Sequence, residues 1–396
     1  MPSKEIWITG NGIVSAIGSG VNAHIDAISN CKSGIKLHKF FNGTLPDPCM
    51  TGMIPEDVMP LSIDESAADR ANLLAEIAFK QTFAQAAIES NSENDLIMGT
   101  TLGNMHGGTM YYQFLKKSEN PDIDLVKSAM PGSVGNYIAN KYNIRGKCIT
   151  VSSACASGIT AIGTALNRIE REHCERVYAC GVDALSPFVI AGFNSLRLLS
   201  KKECRPFSFD RDGLNPGEGA ACILLEKKES AVKRNALPMA KITGYGTALE
   251  AYHYTKSHPE GMGVALAIRK ALKKANINPD QIDHIHAHGT ATVFNDLSEY
   301  NGFYKVFGDK LSEIPVCSTK SMTGHTFAAA GIIAAVLTVL SIKNQCVPPT
   351  LFCECKDPLF EKLIICRKPT GHEIKRALVV AIGFGGEVAA LVVEGV

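Results

Sequence analysis

The chain has almost no net charge: 40 Lys and Arg stand against 39 Asp and Glu, a formal +1 with histidine neutral. It also lacks any long run of one sign. Nothing therefore sets up a general field for nucleic acid, and an acidic partner has to be met by a local patch. No stretch reaches the roughly 20 apolar residues that a bilayer-spanning helix needs. The most apolar segment, Ala328 to Ile342, falls short of that and predicts a buried helix. The first 20 residues carry an apolar stretch broken by Gly10, Gly12 and Gly18, which is not the pattern of a secretory signal, so none is expected. The thirteen cysteines include no C-x-x-C pair and no His partner at zinc-finger distance. That argues against the common structural zinc patterns and predicts free thiols in a reducing, cytoplasmic setting, most of them small buried side chains.

What is present is a globular composition, 45% apolar and 20% charged over 396 residues, enough for two ordinary domains or one fused unit. The two halves repeat the same order of segments. Glu5-Ile-Trp-Ile-Thr-Gly-Asn-Gly is answered by Ala240-Lys-Ile-Thr-Gly-Tyr-Gly, and Leu96-Ile-Met-Gly-Thr-Thr by His284-Ile-His-Ala-His-Gly-Thr. The run from Cys148 through Cys155 into a helical pattern is answered by Pro315 through His325 and the apolar helix after it. Arg176 to Asp183 matches Arg376 to Gly385, and Gly219 to Glu226 matches Glu387 to Glu394. Short apolar strands alternating with longer helical patterns predict a parallel or mixed sheet covered on both faces. Two such sheets give an α/β fold of five layers, α/β/α/β/α, divided into residues 1–237 and 238–396, with the boundary near Asn235 to Pro238. Helices are predicted over Ala67 to Glu89 and Met262 to Ala275. The Pro-, Gly- and Asp-rich loop Lys202 to Gly219 reads as a surface element around an entrance.

Cys155 lies between a strand, Cys148 to Val151, and a helix starting near Ala156 to Gly158. The unpaired N–H groups and partial positive charge of a helix N-terminus favour a thiolate there and can also serve an oxyanion. Small flanking residues leave the sulfur uncrowded, so Cys155 is the expected nucleophile. His288 ends an apolar strand, where an α/β sheet presents residues to its ligand crevice. His284 and His286 precede it with period two and share its strand face, but no further ligands in the sequence complete a metal site, and none is expected. His325 occupies the slot in the second half that Cys155 occupies in the first, which predicts that the two converge.

Val151-Ser-Ser-Ala-Cys155-Ala-Ser-Gly, His286-Ala-His288-Gly-Thr290-Ala-Thr292, Asn295-Asp296, Lys320-Ser-Met-Thr-Gly-His325 and Gly383-Phe384-Gly-Gly386 resemble the motif set of the elongating beta-ketoacyl-acyl-carrier-protein synthases, in the thiolase-fold superfamily. Arg205-Pro-Phe, Phe209-Asp-Arg-Asp-Gly and Gly217-Glu-Gly-Ala also fit, and the resemblance runs in order from the first strand to the last. It implies an acyltransferase in which Cys155 takes an acyl group from the phosphopantetheine thioester of an acyl-carrier protein. The backbone N–H groups of Cys155 and Phe384 form the oxyanion hole. His288 and His325, both neutral, stabilise the enolate left when a malonyl thioester loses carbon dioxide. Lys320 supports the histidines with Asp296 as its ion partner, Thr290 and Thr292 bind the pantetheine amides, Phe384 gates the acyl pocket, and Phe193 and Leu102 line it. No permanently bound cofactor is implied, and the substrates travel on the carrier protein's phosphopantetheine.

The His-His pair separates this pattern from starter synthases, which carry Asn in place of the second histidine, and from degradative thiolases, which carry a second active-site cysteine. The alternative is a non-catalytic or weakly catalytic chain-length partner of a ketosynthase heterodimer, which would lack the nucleophile. A homodimer is implied, or a heterodimer with such a partner, and a basic patch near Lys201, Lys202 and Arg205 is the expected docking site for the acidic carrier. Glu387 and Val388 stand where many members have Thr-Asn, Ala334 replaces an acidic residue behind the active site, and Val293 replaces a proline. The implied product is thus a beta-ketoacyl chain in fatty-acid synthesis or in a related polyene or polyketide pathway.

Overall fold

The computed structural model describes residues 5–39, 48–59, 70–88 and 93–396. In the first half, strands β1 (Ile6–Ser15), β2 (Asp95–Gly99), β3 (Cys148–Val151), β4 (Arg176–Asp183) and β5 (Gly219–Lys227) lie in the spatial order β3-β2-β4-β5-β1. In the second, β6 (Ala240–Leu249), β7 (His284–His286), β8 (Pro315–Cys317), β9 (Arg376–Ile382) and β10 (Glu387–Glu394) lie in the order β8-β7-β9-β10-β6. Each half places its third, second, fourth, fifth and first strand in the same sequence, so the five repeated segments occupy equivalent places. The two sets are not separate sheets. Trp7 and Ile8 of β1 pair with Lys241 and Ala240 of β6, and this short antiparallel join fuses them into one continuous, strongly mixed sheet.

Helices cover the outer faces and fill the middle. On the first half, α1 (Arg70–Ala86) packs on β1, β5 and β4; the short α2 (Met105–Lys116), α3 (Asp124–Ser128) and α4 (Gly132–Lys141) follow β2. Residues 67–69 and 89 of the helix expected over Ala67 to Glu89 lie outside the described residues. After β3 and β4 come α5 (Ser157–Glu170) and α6 (Pro187–Ser195). On the second half α7 (Met262–Ala275) covers β6 and β10, with the expected boundaries, and α8 (Val293–Phe307) packs against α7. A single turn, α9 (Lys320–Thr323), precedes α10 (Ala328–Asn344).

The middle layer is α5 and α10. They pack on each other and touch strands of both halves, which makes five layers. A helix apolar all round belongs inside a protein, and every residue of α10 from Ala328 to Ile342 is buried. The crossing is close because Gly158 has no side chain: a Cβ there would stand 2.6 Å from the carbonyl oxygen of Ala328 and 2.8 Å from the nitrogen of Ile332. Among the described residues, no helix is long and apolar enough to cross a membrane. This packing brings the N-termini of α5 and α10 together, and the candidate site forms where they meet.

Candidate active site

Cys155 follows a sharp turn in which Ala154 adopts a left-handed conformation, φ 48°. The chain leaves β3, reverses, and enters α5 at Ser157, whose Oγ accepts from Ser153 N and donates to Ala154 O. The sulfur is directed into the molecule, with the backbone N–H groups of Cys155 and Phe384 aimed at it. These are the two donors expected for an oxyanion. Burial, however, pushes the thiol up to about 12, outweighing the attraction of Lys320 and the two N–H groups. The thiolate expected from the helix N-terminus is thus overturned for the resting protein: desolvation of the charge exceeds the helix-end effect.

His325 Nε2 lies 3.1 Å from Cys155 Sγ, so the two repeat-related turns do converge. His325 is clamped through its backbone: its N–H donates to Asn215 O and its C=O accepts from Gly217 N. Both partners come from the loop Lys202 to Gly219. Residues 213–219 of that loop are buried behind the histidine, so only its first part is a surface element. After His325, Phe327 takes a left-handed φ of 48° and begins α10, whose first amide, Ala328 N, donates to Asp183 at the end of β4. Asp183 also accepts from Thr100 Oγ1 and the amides of Thr101 and Leu102. One buried carboxylate therefore ties the strand that ends beside the site to the helix that follows the second histidine.

His288 meets His325 edge to face, ring centroids 5.2 Å apart. The Lys320 ammonium bonds to His288 O and stands 3.3 Å from His288 Nδ1. An ammonium can only donate, so Nδ1 accepts and the ring proton resides on Nε2. Burial first, and Lys320 second, hold both histidines well below their usual value, so each is a neutral imidazole at neutral pH. Behind His288, Glu299 accepts from the amides of His288 and Gly289. Burial raises Glu299 and lowers Lys320, and each opposes the shift of the other.

Asp296 does not fill the expected place as ion partner of Lys320. Its carboxylate accepts from the amides of Phe207 and Ala291 and from Asn295 Nδ2, and the nearest guanidinium nitrogen, Arg211 Nε, is 3.9 Å away. Glu299 acts more strongly on the Lys320 charge. Glu299 lies one helical turn beyond Asp296 on α8, so helical spacing could have pointed to it. Asp183 had a signal too, an acid at the C-terminal end of a strand.

Cys155 stands at the junction of two cavities. One is a cavity of about 230 Å³ that includes Thr290, Thr292, His288, His325 and Phe384, with Arg197 and Lys256 in its lining. Thr290 and Thr292 bond each other through their hydroxyls at 2.9 Å. Behind the sulfur, an apolar cavity of about 350 Å³ is lined by Leu102, Val189, Phe193, Phe327 and Phe384, among others. Phe384 belongs to both. Its ring lies 5.6 Å from that of Phe193, which in turn lies 5.4 Å from Phe327. Gly385 and Gly386 follow with φ of 90° and 86°, conformations that favour glycine, so this turn requires them.

Two expectations change outside the site. Arg205 is not a free cation: its side chain is 11% exposed and ion-paired with Asp210 and Asp212, whereas Lys201 and Lys202 are exposed. Folding also brings Cys317 to His284 and His286, a ligand type the sequence did not align with them. His284 Nδ1 bonds Pro315 O, His284 Nε2 faces Cys317 Sγ at 3.7 Å, and both nitrogens of His286 bond threonine hydroxyls.

Residues 3–231 match the family of the beta-ketoacyl synthase N-terminal domain, and residues 239–354 that of the beta-ketoacyl synthase C-terminal domain. The 3-oxoacyl-acyl-carrier-protein synthase 2 of Coxiella burnetii is 31% identical over the full length of both chains. A solved type II polyketide acyl-carrier protein in complex with its ketosynthase, bound to a hexaketide, superposes with a TM-score of 0.92 at 28% identity, covering all of both chains. The ishigamide ketosynthase/chain length factor gives 0.92 at 27% identity, also over the whole of both chains. With two family domains matched along most of its length and a fold shared from end to end, the chain belongs to the beta-ketoacyl synthase family of condensing enzymes, in the thiolase-like fold.

Proposed function

We propose that this chain catalyses decarboxylative Claisen condensation between an acyl group held on Cys155 and a malonyl unit on an acyl-carrier protein. The single observation that carries this reading is the contact of Cys155 Sγ with His325 Nε2, 3.1 Å, at the junction of a cavity of mixed lining and an apolar one. In the first step the thiol attacks the acyl thioester, and its proton ends on the departing pantetheine sulfur, with His325 beside it to relay the charge. The amides of Cys155 and Phe384 hold the oxyanion of each tetrahedral intermediate. The acyl chain then occupies the apolar cavity past Phe384, Phe193 and Leu102.

In the second step the malonyl thioester enters through the cavity lined by Arg197 and Lys256, its pantetheine amides meeting Thr290 and Thr292. Loss of carbon dioxide leaves an enolate, and neutral His288 and His325 donate hydrogen bonds to its oxygen. Lys320 keeps the His288 proton on Nε2, the nitrogen available to the substrate, and Glu299 and Asp296 hold the surrounding backbone. The enolate carbon attacks the acyl carbonyl, Cys155 leaves as a thiolate, and a proton from solvent restores the thiol. Lys201 and Lys202 are the docking cations for the carrier, and Arg197 and Lys256 flank the path of its phosphate. Tyr112, Leu115, Ile123, Val126 and Met130 expose apolar surface on the segment of α2, α3 and α4, a face suited to a second subunit, identical or a chain-length partner. The natural units are residues 1–237 with the nucleophile and 238–396 with both histidines.

The test is intact mass after mixing the protein with acyl-loaded carrier protein. An adduct in wild type that is absent from Cys155→Ala is the expected result. No adduct across a range of chain lengths, alone or with candidate partner subunits, would overturn the catalytic reading in favour of a chain-length partner.

A further inference from the structure

The apolar cavity behind Cys155 does not end in a buried wall. Its lining includes Phe188, a side chain 58% exposed. The same ring also bounds a second recess, of about 530 Å³, between α2 and α6, lined by Met105, Gly108, Thr109, Tyr112 and Ala191. One aromatic ring thus stands between two apolar spaces, and only the first opens on the nucleophile.

We propose that Phe188 is a specificity-determining residue that sets the acyl length this chain accepts: its ring closes the first cavity, and turning it aside lets a longer chain continue into the second recess. This rests on the acyl-Cys155 reading above. Three local features suit a ring that turns on a fixed backbone. Ser186 caps α6 with its hydroxyl accepting from Val189 N, and Pro187 follows as the first helical residue, so the main chain at Phe188 is held. Gly192, one helical turn on, also lines the first cavity and has nothing within 4 Å of where a Cβ would be, so the ring is not packed against a side chain there. An exposed phenyl ring is also poorly satisfied in water and gains by covering an alkyl chain. The recess is open outward, and the second subunit proposed for the α2 to α4 face would close it.

The experiment is a competition between octanoyl and hexadecanoyl carrier protein for the full-length protein, with the adducts on Cys155 read by intact mass. Phe188→Ala should shift the ratio toward hexadecanoyl by about tenfold, the effect of burying roughly two more methylene groups. Phe188→Trp should shift it the other way. Thr109→Trp, which fills the second recess, should cancel the gain when combined with Phe188→Ala. Wild-type ratios in both Phe188 variants would overturn the proposal, as would a gain that survives Thr109→Trp. Absence of any adduct in the wild type would instead remove the condensing reading on which the proposal depends.

Discussion

The two strand-to-helix turns that carry Cys155 and His325 occupy equivalent places in the two halves, yet they are built differently. At the first, the strain sits before the functional residue, at Ala154, and the sulfur ends between two backbone amides with its proton retained. At the second, Gly324 at φ 72° relieves the chain before the histidine, and the left-handed residue comes after it, at Phe327. His325 is braced on both sides by Asn215 and Gly217, and α10 is capped by Asp183; all three braces come from the other half. One topological slot thus yields a buried neutral nucleophile or a clamped neutral imidazole, depending on which backbone groups surround it. Burial dominates the proton affinity in both, raising the thiol and lowering the imidazole.

The comparison breaks most visibly at the nucleophile. Cys155→Ala should lower condensation by on the order of 10⁴-fold or more, since among the described residues no other cysteine lines either cavity, and single-turnover assays with acyl-carrier protein would show it. The histidines should then separate. His288→Asn is expected to cut malonyl decarboxylation by about 10²- to 10⁴-fold while acyl loading continues, whereas His325→Asn should impair both, because of the two histidines it is His325 that touches the sulfur. Measuring carbon dioxide release and the adduct on Cys155 in parallel checks this; equal loss of loading in the two variants would contradict the assignment of distinct roles.

A smaller effect tests the protonation state. With the Cys155 thiol pushed up to about 12, its alkylation by iodoacetamide should keep rising about tenfold per pH unit from pH 7 to 9.5. A helix-stabilised thiolate would show a flat profile there, and site-resolved mass spectrometry distinguishes the two. Smallest is the brace between the halves. Asp183→Asn turns an N–H₂ toward donors that need an acceptor, and should cost about 1–3 kcal/mol of stability in chemical denaturation. Its carboxyl is pushed up to about 6 by burial, so the folded form binds the proton more tightly than the unfolded chain, whose carboxyl titrates near 3.8. Stability from this group therefore falls as pH rises from about 4 to about 6 and is level above, a slope that the variant should lack.

Much of this was legible before any coordinates. The five repeated segments occupy matching places because strand, turn and helix signals are local and because a duplicated order folds into a duplicated topology. The buried helix from Ala328, and the meeting of Cys155 with His325, followed from the same patterns. The ion partner of Lys320 did not. Asp296 sits in the right motif, but its carboxylate turns to the loop at Phe207 and toward Arg211, while Glu299, one turn on, takes the amides of His288. Motif spacing identifies which helix faces the site but not which of two neighbouring acids turns inward. The partnership of Arg205 with Asp210 and Asp212 was likewise hidden in a loop without periodicity.

By itself the sequence determined the chemical inventory, the duplicated order and the placement of each reactive group at a strand end or helix start, since these depend on residue type and on short-range backbone preferences. Only the tertiary structure decided the protonation states, the division of space around Cys155 into a cavity of mixed lining and an apolar one, and the position of Phe188 between two recesses. Those depend on how much water is excluded and on contacts between residues far apart in the chain, quantities that exist only once α5 and α10 have packed between the halves.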